Sequence, residues 1–108
     1  MKKPLYAFLL MGNDYQPETH HAEFETDRMV TKIITVSDFA QARRVLLDLE
    51  QEGAGAVELC GAFGPEAAEA LIQETGNRIA IGYVTHFPKQ DNLFDAFWGS
   101  PHSQQSNP

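Results

Sequence analysis

The residue types able to do chemistry gather around one short stretch, Glu58-Leu59-Cys60-Gly61-Ala62-Phe63-Gly64, which holds the only cysteine of the chain. A thiol at the start of a helix can act as a nucleophile, with turn amides as an oxyanion site and His86 or His20 as the base. The ordinary alternative is that Cys60 is a small core hydrophobe. Glu58 is the less usual residue, because strand alternation sets it on one face with Ala56 and Cys60. On a central strand such a carboxylate must be hydrogen-bonded, ion-paired or protonated, unless that face is a wet interface or a subunit contact.

The glycines invite comparison with anion-binding turns. Gly61 and Gly64 fit neither a Walker loop nor a dinucleotide fingerprint. Pro65 removes a backbone donor, Glu66 already sets a negative charge in the first helical turn, and the turn has no Lys or Arg. A phosphate is therefore disfavoured, while a neutral or carboxylate-bearing small molecule fits. His20, His21, Cys60, His86 and Glu58 are suitable metal ligands by type. They show no ligand spacing, and the adjacent His20 and His21 diverge in either helix or strand, so no metal site is expected. Nothing in the pattern identifies a cofactor.

Several elements must position these groups. Residues 4–11 are nearly all apolar and too few for a globular helix, which predicts a strand buried on both faces. Pro17-Glu18 opens a weak segment, with only Ala22 and Phe24 apolar up to Thr26, read as one or two helical turns. Met29–Val36 is β-branched and predicts a second strand, with Lys32 and the threonines suggesting a sheet edge. Ser37-Asp38 then caps a helix bearing Phe39, Ala42, Val45, Leu46 and Leu49 on one side, Gln41 holding the capping-box position and Gly53 ending it.

Ala56–Cys60 is the third strand, followed by a helix from Pro65 to Thr75 with Gly76 beyond it. Residues 78–87 form a fourth strand whose second face, with Ala80 and Gly82, is small, so something packs closely there. Asp91 can cap a turn of helix carrying Phe94, Phe97 and Trp98, which need cover from the sheet or from a second subunit.

Strands alternating with helices predict an α/β fold: one small three-layer domain with four mainly parallel strands and flavodoxin-like winding, in which residues 17–26 cross the sheet. If they do not cross, the alternative is a two-layer α+β sandwich of ferredoxin-like type that leaves one sheet face available to a partner chain. Residues 1–98 make the domain and 99–108 a polar tail. In a parallel sheet the ligand edge is the carboxyl end of the strands, which gathers Gly12, Asn13 and Asp14, Ser37, Cys60 and Gly61, and Thr85 and His86. His20, Glu58, Phe63 and Gly64 join Asn13, Asp14 and Gly61 as candidate ligand-binding residues.

The 108 residues suffice for one domain with a real core. A formal charge of -7 and scattered basic residues argue against nucleic acid and anionic membranes. One cysteine suits a reducing compartment, hence a cytoplasmic protein. Lys2 and Lys3 before an apolar run imitate a secretory signal, but the run is short, Pro4 interrupts it, and Gly12-Asn13-Asp14-Tyr15 is no cleavage site.

With the Glu-Leu-Cys-Gly-x-Phe-Gly turn, the capped helix before it, and Pro17-Glu18 with His20, the chain resembles an uncharacterised family of small bacterial proteins over roughly residues 5–87. That resemblance implies a compact α/β fold and carries over no catalytic residue. The expectation from the sequence is a homo-oligomer that binds a small molecule or partner at the strand ends. The runner-up is a Cys/His-dependent enzyme acting on a small carbonyl or carboxylate compound. A structural or interaction module is the third reading.

Overall fold

The apolar run does form a strand, β1 (Leu5–Met11), and it becomes the middle of the sheet in the computed structural model, which describes residues 2–99. The polar tail expected at the C-terminus lies, from residue 100 onward, outside the described residues. The segment after β1 alternates His21, Glu23 and Glu25 with Ala22 and Phe24, and this period-two pattern yields β2 (His21–Glu25) rather than a helix. β2 pairs antiparallel with β3 (Val30–Val36).

Helix α1 (Phe39–Glu52) is capped as its sequence requires. The Gln41 amide donates to Asp38 Oδ1 at 2.8 Å, and the Gln41 side-chain oxygen accepts from the Ser37 amide at 2.9 Å. Gly53 ends the helix at φ 97°, a left-handed conformation that a side chain would strain. Then follow β4 (Ala54–Leu59), α2 (Gly64–Glu74), β5 (Ala80–Tyr83), a 3-10 turn over Pro88–Gln90, and α3 (Asp91–Trp98).

The strand order is β2-β3-β1-β4-β5, with β3, β1, β4 and β5 mutually parallel. Counting the parallel strands alone, the order is second, first, third, fourth, as in the flavodoxin-type winding. The α/β class and the four parallel strands thus agree with the sequence.

The layering does not. In a right-handed crossover, the connection from β1 to β3 runs opposite to the two that follow, and its helix would cover the second sheet face. Here that connection is a loop and β2. Both α1 and α2 pack on the same face and touch each other, so the domain has two layers instead of three. It is not the ferredoxin-like alternative either, because β1 and β3 run parallel. β3 is likewise no edge strand: β2 takes that place, and Lys32 is satisfied by Glu52 at 2.7 Å and Glu23 at 4.0 Å.

The core lies between sheet and helices, where Leu9, Val57 and Leu59 meet Leu46, Leu49 and Leu71 with almost no exposure. On the other sheet face Tyr6, Phe8, Leu10 and Ile33 are partly buried, and Phe24 is 54% exposed.

Candidate functional site

The carboxyl ends of β1 and β4 are tied together. The Cys60 amide donates to the Leu9 carbonyl at 2.9 Å, and Cys60 Sγ accepts from the Met11 amide at 3.3 Å. The turn after β4 and the loop after β1 therefore begin side by side. Tyr15 packs over Gly12, where a Cβ would stand 3.1 Å from the ring and push it back by a few tenths of an ångström. Asn13 and Asp14 reach solvent at the loop tip, and Gly61 is exposed across from them. Beyond β4 the sheet pairing continues, with the Val84 amide donating to the Leu59 carbonyl at 2.8 Å.

The remaining sequence-predicted residues go elsewhere. Phe63 turns into the core and is 6% exposed, and Gly64 serves the backbone at φ 75°. His20 closes its own loop: Nδ1 accepts from the Gln16 amide at 2.9 Å, and the His20 carbonyl accepts from the Thr35 hydroxyl at 2.6 Å. His86 Nε2 lies 2.7 Å from Asp91 Oδ1, and its ring stacks on Phe94 at 4.1 Å. The imidazole is thereby engaged at the base of α3, while the thiol is engaged by β1. Among the described residues no three His, Cys, Asp or Glu side chains converge as a metal-ligand group.

Glu58 sits on the uncovered sheet face. The side chain is exposed, and the Tyr6 hydroxyl donates to its Oε1 at 2.5 Å, so the carboxylate is hydrogen-bonded, one of the arrangements expected of it, on a face that is open rather than buried. Its Oε2 lies over Gly82, where a Cβ would come within 3.6 Å. The small face of β5 is the room this side chain occupies. Tyr6 escaped the sequence reading. The available signal was that β1 and β4 are neighbours, which sets Tyr6 diagonally from Glu58 on one face.

Burial first, then the hydrogen bond to Glu58 and its negative charge, push the Tyr6 phenol up to about 12. The sign follows: the native state holds this proton more tightly than the unfolded chain. Its contribution to stability is complete below the ordinary phenol value of 10.0 and is lost as pH rises from there through about 12. In a spectrophotometric titration, one of the three tyrosines is expected to ionise near 12, and that late step should vanish in Tyr6→Phe. Three phenols titrating together in the wild type would contradict this.

In comparisons with known proteins, residues 5–99 match the model of a family described as a family of unknown function (DUF6506). No curated protein and no solved structure matches the chain. The match runs past the stretch of resemblance expected from the sequence and takes in all of α3.

Proposed function

Because the chain belongs to this family of unknown function (DUF6506), its reading must come from the geometry, and we propose a small-ligand-binding protein that works as a homo-oligomer. The site of the proposal is the junction between the ends of β1 and β4, which we take, from the strand order alone, as the crevice of this sheet. The observation that carries it is the Met11 amide to Cys60 Sγ bond, which sets the Gly12–Asp14 loop against the Cys60–Gly64 turn. The two connections diverge at this point, one toward β3 and the other toward β5, and such divergence is where open α/β sheets place ligands.

The absence of a basic residue from the turn and Glu66 after it disfavour a phosphate, and the proposed ligand class is a small neutral or carboxylate-bearing molecule. Engagement of Cys60 by Met11 and of His86 by Asp91 and Phe94 supports binding over thiol catalysis. A bacterial, cytoplasmic setting belongs to the same proposal. For the membrane, the structure offers this much: no helix among the described residues is long and apolar enough to cross one.

Nuclear magnetic resonance titration with the carboxylates acetate and pyruvate and with the neutral acetamide and acetone tests the reading. At least one should shift the amides of residues 12–14 and 61–64 together and saturably. Gly61→Val should weaken that binding about 10-fold or more, about 1.4 kcal/mol. The fold should survive, because a Cβ at Gly61 meets nothing closer than the Val84 carbonyl at 3.8 Å. Shifts scattered over the surface, or none, would overturn the assignment.

A further inference from the structure

Two apolar surfaces of this chain lack cover among the described residues. Helix α3 presents Leu93, Phe97 and Trp98 on one side, 67%, 76% and 69% exposed, and Phe87 before it is 73% exposed. Asp91 and Asp95 stand seven and three residues before Trp98, so they lie along its side of the helix and border the apolar patch. The helix packs mainly on the 3-10 turn before it and on His86. The described molecule spans 50 × 28 × 25 Å, as an arm standing off a compact body requires. The second surface is the sheet face without helices, with Tyr6, Phe8 and Ile33 at its centre and Glu58 as the only charge on its strands.

We propose that α3 of one copy docks across the open sheet face of a second copy, and the reverse, giving a two-fold dimer with exchanged arms. The inference deepens the homo-oligomer part of the reading above and rests on it.

The occupant follows from three observations. First, the family match includes α3, so the arm is part of the domain rather than an appendage. Second, the areas suffice. Three mostly exposed aromatics offer roughly 400 Å². Two arms on two faces then bury on the order of 1,600 Å², the size of a standard stable interface. Third, both patches belong to the same chain, so two copies can cover each other reciprocally, and such an isologous exchange closes at two.

The arm is also fixed at its root, since His86 holds Asp91 at 2.7 Å and stacks on Phe94, which costs α3 less order on docking than a loose tail would lose.

Sedimentation equilibrium of the full chain, read with the fluorescence of its single tryptophan, tests the arrangement. The wild type should be a dimer whose Trp98 emission shifts to the red on dilution. An arm variant, Leu93→Asp with Phe97→Asp, and a face variant, Ile33→Arg, should each weaken dimerisation roughly 30-fold or more while circular dichroism stays unchanged. Mixing the two should restore a heterodimer, because the face variant still has a sound arm and the arm variant a sound face. A monomeric wild type would overturn the homo-oligomer reading itself. A dimer that survives the arm variant, or a mixture that stays monomeric, would overturn arm exchange alone.

Discussion

Phe63→Ala is expected to destabilise the domain by about 3–5 kcal/mol, the usual cost of emptying an aromatic-sized space in a core. Phe63 is 6% exposed and belongs to the cluster beneath α1 and α2, although it sits in the turn that forms one wall of the proposed site. For a chain of this size that loss is a large fraction of a total of about 5–15 kcal/mol. The midpoint of thermal unfolding should fall by more than roughly 12 °C. Phe63→Leu, which keeps most of the apolar volume, should recover at least about half of the loss. The pair of variants separates packing from recognition: a Phe63→Ala protein as stable as wild type would mean that the ring serves a ligand and not the core.

Leu9→Ala should cost a similar amount, about 2–5 kcal/mol, by a more central route. Leu9 is fully buried in β1, and its register partners are Ile34 on β3 and Leu59 on β4. Its backbone carbonyl also accepts the Cys60 amide, so a relaxation of β1 around the cavity would reach the crevice. Denaturant unfolding should show a lower midpoint with an unchanged slope. A slope that changes by more than about a fifth would indicate that the central strand had come loose rather than that a cavity had been left. Phe8→Ala, one residue along but on the open face, should cost a monomer much less, because Phe8 is only half-buried there.

The contrast between those neighbours shows what was legible in the sequence. Local signals held wherever one residue type has one backbone use: Asp38 and Gln41 at the start of α1, Gly53 at its end, and Pro65 in the first turn of α2. The β-branched run gave β3, and alternation gave the small face of β5. What the sequence could not settle was the cover of β1. Leu5–Met11 is apolar throughout, as in a strand buried on both sides, yet only one side is covered by this chain's helices. The pattern reports apolar faces and is silent about which chain covers them.

Residues 17–26 misled for a related reason. Their two apolar side chains are too few to separate a period of two from a period of 3.6. For the site, Glu58 was found from alternation alone, whereas its partner Tyr6 depended on the order of strands in the sheet.

The position of β2 also bears on how far copies of this chain can associate. A sheet with a bare, uncharged edge can grow without limit in its own plane. Here β2 ends one side with Glu23 and Glu25, both exposed and each beside a lysine, Lys32 at 4.0 Å and Lys3 at 2.7 Å, so a further strand would have to pair along a charged edge. On the other side β5 has only four residues before the chain leaves the sheet. In-plane polymerisation is thus obstructed at both ends, and the substitution of a short acidic strand for a helix exposes an apolar face without creating a fibre.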